Sequence, residues 1–384
     1  MTTVVSLSAE AIADRVRDAR TRGARLRIAG AGTWLDAGRP VGSSEELSLA
    51  AHTGITEYTP GDLTLTARAG TTLREIRDAV SPHGQWLALD PFGSDEGTLG
   101  ATIATASAGP LATRFGTPRD LALGLEFVSG RGATVRGGGR VVKNVAGFDL
   151  TRLLTGSWGT LGVITEATVR LHARPEADVT LAVSPSDDRI DVGGVRAALK
   201  RWPFVPLACE VVNDSLGREL GLGGEAVVFR LGGNSESVAE QRRAIAELAG
   251  GPAREVDPSV WRSLRAADDD ATLVLRVSRA PAEVSAAWAD ATALTAPFAS
   301  ARVSASPARG IVRCATQAVG ASIEQYASTL AGLRSRIVAE RAPVHLWNAP
   351  PLARAADPLQ SRIRDAFDPQ RILNPGILGE RAVS

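Results

Sequence analysis

Hydrophobic positions in the first half of the chain form short segments that are interrupted often. Residues 8–22 begin with a serine that can cap a helix and place Ile12 and Val16 on one face, which predicts an N-terminal helix. Apolar and polar residues alternate on both sides of residues 60–62, and again on both sides of residues 130–132. Because both central triplets contain glycine, this alternation predicts two hairpins.

Two further helices and a long strand complete this half. Thr72 stands three residues before Glu75 at the start of an amphipathic segment, which is the arrangement of a capping box. Residues 97–109, GTLGATIATASAG, have no long side chain, and we expect this segment to begin with a helix. Residues 160–175 are expected to form a long strand. Because strands and helices do not alternate, the pattern predicts an α+β domain rather than a doubly wound sheet.

The pattern changes near Arg174-Pro175, beyond which strand-like and helix-like segments repeat at roughly even spacing. This predicts a separate sheet with helices on one face. We therefore divide the chain into a first domain, 1–175, a smaller α+β domain, 176–350, and a tail, 351–384. The tail contains AFDPQRILNPGIL, which is too apolar for a free end and too interrupted for a helix. We expect it to pack back on the first domain.

Composition and charge narrow the class of protein. The 384 residues are 44% hydrophobic and 22% charged, as in globular proteins, and the net charge of +1 gives no electrostatic basis for binding nucleic acid. The two cysteines, Cys209 and Cys314, are too few for a zinc site or a four-thiolate iron–sulfur cluster. The acidic run 268–270 lacks the spacing of a calcium loop and is expected to be a solvated loop.

The N-terminal residues lack the features of a signal peptide, and no apolar run approaches the ~20 residues that cross a bilayer. We expect a cytoplasmic protein with no transmembrane segment, held at the inner membrane, if at all, through its partners.

Two glycine-rich stretches indicate a ligand site. The first, AGAGTW (29–34), follows a strand, and the second, GSWGTLGVIT (156–165), precedes one. The chain contains neither G-x-G-x-x-G nor a P-loop, which disfavours a Rossmann or Walker site. Small residues at a strand-to-loop junction still allow backbone N–H groups to face phosphate, although an ordinary tight turn would have the same sequence.

Four motifs taken together are more specific: the loop 29–34, the segment 97–109, KNVAGFDLTRLLTGSWGTLGVIT from Lys143, and FDPQRILNPGIL in the tail. In this order they resemble the PCMH-type FAD-binding family that includes vanillyl-alcohol oxidase and the flavin subunits of glycolate oxidase. Within that family the sequence is most similar to the glycolate oxidase "E" subunits. The resemblance implies a PCMH-type FAD-binding domain of two subdomains, followed by a smaller α+β cap domain.

The resemblance also implies which residues hold the cofactor. The loop 29–34 would lie at the FAD pyrophosphate, and the segments 97–109 and 156–164 would lie along the rest of FAD. Glycine and alanine would be needed there because side chains would occupy the cofactor's volume. The implied cofactor-binding residues are Gly30, Ala31, Gly32, Thr33, Trp34, Pro91, Thr98, Gly100, Ala101, Thr105, Ser107, Gly159, Thr160, Gly162, Ile164 and Asn374. Since neither cysteine lies in a flavin motif, we expect the FAD to be noncovalent.

The catalytic residues are much less evident. Oxidation of a 2-hydroxy acid needs a cation for the carboxylate and a base for the hydroxyl proton. The four histidines are not paired at metal-ligand spacing, so no metal is expected. His345, Arg114 and Arg119 are weak candidates, and the catalytic residues stay unknown.

The resemblance implies a subunit that works beside a larger flavin subunit and an iron–sulfur subunit, passing electrons from a small hydroxy acid to a partner. Two alternatives remain open at this point. In the first, the chain is a self-sufficient FAD-dependent oxidoreductase that acts on a 2-hydroxy acid or an alcohol. In the second, it is a non-catalytic scaffold subunit that binds flavin.

Overall fold

The computed structural model describes residues 7–42, 44–139, 148–185, 190–250, 253–298, 300–318, 335–348 and 357–379. Residues 143–147 of the KNVAGFDL string lie outside these ranges. Contacts divide the chain into two compact units. The first unit comprises 1–108, 116–174 and 354–384, and the second comprises 109–115 and 175–353.

The helices and strands are labelled in chain order. The helices are α1 (Ala9–Arg22), α2 (Leu73–Val80), α3 (Leu99–Thr105), α4 (Ala112–Phe115), α5 (Pro118–Leu121), α6 (Leu150–Leu154), α7 (Val192–Arg201), α8 (Asp214–Glu219), α9 (Ser235–Ala249), α10 (Val260–Ala266), α11 (Val284–Thr295) and α12 (Pro358–Phe367). The strands are β1 (Leu26–Ala29), β2 (Glu45–Ser48), β3 (Ile55–Thr59), β4 (Thr64–Arg68), β5 (Gln85–Trp86), β6 (Ala122–Val128), β7 (Thr134–Gly138), β8 (Val163–Arg170), β9 (His172–Ala173), β10 (Ala177–Val183), β11 (Ala208–Val212), β12 (Ala226–Gly233), β13 (Arg254–Glu255), β14 (Leu273–Ser278), β15 (Arg302–Ser306), β16 (Ile311–Thr316) and β17 (Arg336–Arg341).

Local signals in the first unit produce the elements that they predict. Ser8 caps α1 by accepting a hydrogen bond from the Ala11 N–H at 3.1 Å. Thr72 and Glu75 form the predicted capping box at the start of α2. The predicted hairpins are β3–β4 and β6–β7, and they join β8 in a five-stranded antiparallel sheet of order β3-β4-β8-β6-β7. The α+β class is confirmed.

A short parallel pair, β1–β2, was not predicted from the sequence. The chain near the C-terminus adds to this pair. Leu26 donates its N–H to the Ile372 carbonyl at 2.8 Å and accepts from the Asn374 N–H at 2.9 Å. Ile372 and Leu373 are 2% and 0% exposed in the core of the first unit. The C-terminal segment therefore supplies both backbone partners and apolar packing to this unit.

The second unit contains an eight-stranded antiparallel sheet of order β13-β10-β12-β11-β15-β16-β14-β17. Helices α7, α9 and α11 contribute buried residues to one apolar cluster with side chains of this sheet, including Phe229 and Leu275. The prediction of a sheet with helices on one face holds only in part, because Trp261 of α10 lies on the other face and donates its Nε1–H to Thr180 of β10 at 3.0 Å. The opposite face is more polar because the alternate residues Glu210, Ser306 and Arg313 lie there, all buried.

The acidic run 268–270 departs from the prediction of a solvated loop. Asp268 is 4% exposed and accepts a hydrogen bond from the Arg313 guanidinium at 2.7 Å. Arg313 also pairs with Glu340 at 2.7 Å, and Arg341 donates to the Asp268 carbonyl at 2.6 Å. The prediction was wrong for Asp268 because its partners come from strands β16 and β17, far along the chain. A buried carboxylate is tolerated where such partners are present.

Both cysteines are buried as free thiols in the second unit. Burial raises the pKa of the Cys314 thiol to about 12 and that of Cys209 well above its ordinary value. Since the thiolate is the reactive form, we expect neither cysteine to react with a thiol reagent at pH 8 in the native protein. Both should react after unfolding in denaturant without reductant. Fast labelling of the native protein, or no labelling after unfolding, would contradict this prediction.

Candidate functional site

A cleft in the first unit contains about 1010 Å³ of space between protein atoms, part of it open to solvent. The cleft is bordered by β1 and the loop after it, by α3, by the turn before β8 and by the C-terminal segment. Its lining residues are Arg27, Ile28, Ala29, Gly30, Ala31, Gly32, Thr33, Trp34, Leu35, Ala37, Leu49, Pro91, Phe92, Gly93, Ser94, Gly97, Thr98, Gly100, Ala101, Thr102, Ala104, Thr105, Ser107, Trp158, Gly159, Gly162, Ile164, Asn374 and Ile377.

The loop after β1, residues 29–35, is held at both ends. At its start, the Ala29 carbonyl accepts a hydrogen bond from the Leu49 N–H at 2.8 Å. At its end, the Leu35 carbonyl accepts a hydrogen bond from Nη2 of Arg27 at 2.8 Å. Ala31, Gly32 and Thr33, between these points, are exposed, so their backbone can approach a ligand.

Helix α3 presents small residues to the cleft and large residues to the core. Ala101, Ala104 and Thr105 stand three and four positions apart, which places them on one face of the helix. All three line the cleft. Leu99 and Ile103 point to the core of the unit and are fully buried. The segment without long side chains is therefore a helix with one cleft face and one core face.

The turn before β8 brings Trp158 to the cleft. Trp158 has a φ of 54°, which is unusual for a residue with a side chain. Its N–H donates to the Ala104 carbonyl at 2.8 Å, and its carbonyl accepts from Nδ2 of Asn374 at 2.7 Å. These contacts hold its indole next to that of Trp34, with ring centroids 6.1 Å apart and planes 19° apart.

Asn374 uses its side-chain amide within the protein. Besides the bond from Nδ2 to the Trp158 carbonyl, its Oδ1 accepts from the Ile28 N–H at 2.8 Å. The side chain is 4% exposed. Asn374 therefore joins β1 to the turn at Trp158, and its influence on a ligand in the cleft would be through these two elements.

Three of the glycines at the cleft are required by protein packing. A Cβ at Gly30 would lie 2.3 Å from Oγ1 of Thr98, one at Gly100 would lie 2.6 Å from Cβ of Ala69, and one at Gly162 would lie 2.6 Å from Cδ2 of Phe127. From the family resemblance, their small size was expected to leave the volume of a cofactor free. The structure gives a different reason at these three positions, since a side chain would first collide with protein atoms.

The structure brings together most of the residues that the sequence predicted. Fifteen of the sixteen predicted cofactor-binding residues line the cleft. The exception is Thr160, which is 3% exposed and donates its hydroxyl to the Ser157 carbonyl at 2.7 Å. His345, Arg114 and Arg119 are exposed, and none of them is among the described residues that line the cleft.

Sequence reasoning missed several lining residues. Trp158 lies inside the glycine-rich stretch GSWGTLGVIT, so its position in the sequence could have identified it as a lining residue. Arg27 had no such signal because it belongs to a short strand that resembles many others. Among the described residues that line the cleft, Arg27 carries the single ionisable side chain. Its Nη1 atom is buried without a hydrogen-bond partner.

Two broader features bear on the function. Within the described ranges, no cluster of three or more His, Cys, Asp or Glu side chains is arranged to hold a metal ion. Among the described helices, none combines the length and the apolar content that a membrane crossing needs.

Comparison with known proteins assigns the chain to a family. A family described as "FAD binding domain" matches residues 3–138. The chain is 35% identical over 258 residues to glycolate oxidase subunit GlcE of Escherichia coli (strain K12), which covers 67% of this chain and 68% of that protein. It is 40% identical over 127 residues to glycolate oxidase subunit GlcD of Bacillus subtilis (strain 168), covering 33% of this chain and 27% of that protein.

Among solved structures, 4-ethylphenol oxidase from Gulosibacter chungangensis has a TM-score of 0.71 at 17% identity, covering 97% of this chain and 88% of that one. This likeness shows the fold. Fold and comparisons together define an FAD-dependent oxidoreductase of the PCMH type. The chain belongs to the FAD-binding family that includes glycolate oxidase subunit GlcE.

The residues of the cleft fit FAD. Small side chains on α3 and an exposed loop leave room for an extended cofactor, and the indoles of Trp34 and Trp158 offer flat apolar surfaces to its rings. Arg27 supplies a positive charge beside the loop. The residues lining the cleft include neither cysteine nor histidine among the described positions.

Proposed function

We propose that this chain is the FAD-binding subunit of a glycolate or related D-2-hydroxy acid oxidase complex. The observation that carries the proposal is the match to GlcE over two thirds of both chains, together with a cleft whose lining residues 27–107 lie in the part that matches the FAD-binding family. The partner subunits we propose are a larger flavin subunit, as the match to GlcD suggests, and an iron–sulfur subunit. FAD, when bound, supplies a two-electron acceptor for oxidation of the hydroxy acid.

Within this proposal the lining residues of the cleft bind and orient FAD without a covalent bond. The loop 29–35 would hold the pyrophosphate, and α3 with the turn at Trp158 would hold the remainder. We assign the second unit to the smaller α+β domain that follows the FAD domain in this family. These roles are supported by the positions of the residues around one cleft.

The described lining of the cleft supplies a cation but no base for oxidation of a hydroxy acid. Oxidation of a hydroxy acid needs a base near the hydroxyl group and a cation near the carboxylate. Of the described residues that line the cleft, only Arg27 ionises, and a guanidinium does not act as a base in proteins. A base would therefore have to come from outside this described lining, either in this chain or in a partner subunit.

The chain purified alone tests the proposal. We expect a yellow protein that releases its FAD into the supernatant on acid or heat precipitation. Glycolate or D-lactate added without oxygen should not bleach the flavin of the isolated chain, but should bleach it when the partner subunits are co-expressed. Bleaching of the isolated chain would show a self-sufficient enzyme. Flavin retained by the precipitate would contradict noncovalent binding, and a colourless protein that takes up no FAD would contradict the proposal as a whole.

A further inference from the structure

Arg27 stands where a strand meets the cleft. It follows the fully buried Leu26 in β1, and its guanidinium reaches the end of the loop 29–35. Nη2 donates to the Leu35 carbonyl at 2.8 Å, so one nitrogen braces the loop. Nη1 is buried and has no hydrogen-bond partner in the described structure. The nearest acidic residue along the strand pair is Glu46, which is opposite Arg27 in β2 and exposed.

A buried cationic N–H group without a partner is costly, because it has lost water and gained nothing in return. Burial lowers the pKa of the Arg27 guanidinium, and the charge of Glu46 opposes that shift only in part. The group nevertheless stays protonated at neutral pH. An anion in the cleft would remove this cost, and a phosphate oxygen matches the planar donor geometry of arginine.

We propose that Arg27 is a cofactor-binding residue whose Nη1 donates a charge-assisted hydrogen bond to the pyrophosphate of FAD while its Nη2 holds the loop 29–35. The proposal rests on the FAD site of the proposed function and adds to it a residue outside the loop. The proposal couples the position of the loop to binding of the cofactor, because one guanidinium would hold the loop and contact the pyrophosphate that the loop surrounds. Other lining side chains among the described residues carry no positive charge.

The test measures FAD affinity in the apoprotein of Arg27→Gln, Arg27→Lys and a matched control, Arg68→Gln. Arg68 is also an arginine on a strand of the first unit, and its guanidinium donates to the Thr53 carbonyl away from the cleft. We expect Arg27→Gln to raise the FAD dissociation constant by about tenfold to a hundredfold, the range of a charge-assisted hydrogen bond. Arg27→Lys should recover part of the affinity, and Arg68→Gln should change it by less than about twofold.

The dependence of FAD affinity on salt concentration distinguishes direct contact with the pyrophosphate from a purely structural role of Arg27. If Arg27 contacts the pyrophosphate, raising ionic strength should weaken FAD binding more steeply in the wild type than in Arg27→Gln, because the variant lacks the charge that salt screens. Equal salt dependence in both proteins would show that Arg27 acts only by bracing the loop, and would overturn the proposal. Unchanged FAD affinity in Arg27→Gln would also overturn it. If the wild-type apoprotein itself takes up no FAD, the proposed function fails, whereas the other outcomes concern Arg27 alone.

Discussion

Replacing Ala101 with phenylalanine should abolish FAD binding in a protein that still folds. Ala101 lies on the cleft face of α3, and its side chain is only partly buried. A phenyl ring there would extend into the space that we assign to the cofactor rather than into the core, which lies on the side of Leu99 and Ile103. We expect FAD affinity to fall by at least about a hundredfold, equivalent to about 3 kcal/mol.

Thermal unfolding of the apoprotein and titration with FAD measure the two effects separately. The apoprotein of Ala101→Phe should melt within a few degrees of the wild type, since overpacking is costly where the surroundings are already dense. Ala239→Phe is the matched control, because it makes the same change on an exposed position of α9 in the second unit. Wild-type FAD affinity in Ala101→Phe would show that the flavin does not occupy this cleft.

Ending the chain after Asp365 should both destabilise the first unit and remove its flavin. The deletion takes away Ile372 and Leu373, which are almost completely buried, and each such side chain contributes roughly 1.5–3 kcal/mol. It also removes the backbone partners of Leu26 and both side-chain bonds of Asn374. The total exceeds about 5 kcal/mol, which is comparable with the whole stability of many domains.

Calorimetry measures the melting temperature and titration measures the FAD affinity of this chain and of a control chain with a shorter deletion. A chain that ends after Gly379 keeps every described contact of the C-terminal segment, including those of Asp368, whose carboxylate accepts from the Ile372 and Leu373 N–H groups at 3.1 and 2.8 Å. We expect this control to match the wild type in melting temperature and flavin content. If the chain that ends after Asp365 also matches the wild type, the segment neither completes the fold nor supports the cleft.

The local elements of the first unit were predictable because their causes lie within a few residues. The capping box of Thr72 and Glu75, the serine cap of α1 and the glycine turns of the hairpins each act over three or four positions. The small-residue stretches also marked the cleft, since glycine and alanine are visible in sequence wherever the backbone approaches something closely. What the glycines approach was not visible, and at Gly162 it is the core residue Phe127.

Contacts between distant parts of the chain had to come from the tertiary structure. Asp268 looks like one residue of an exposed acidic run until Arg313 is placed beside it. Asn374 bonds Ile28 across 346 positions, and no periodicity of sequence reports such a pair. The sequence by itself determined the local elements, the α+β class and, through its motifs, the family of FAD-binding proteins. Only the tertiary structure showed that Arg27 has an unpartnered nitrogen at the cleft, because burial and hydrogen bonding depend on atoms that the fold brings together from separate segments.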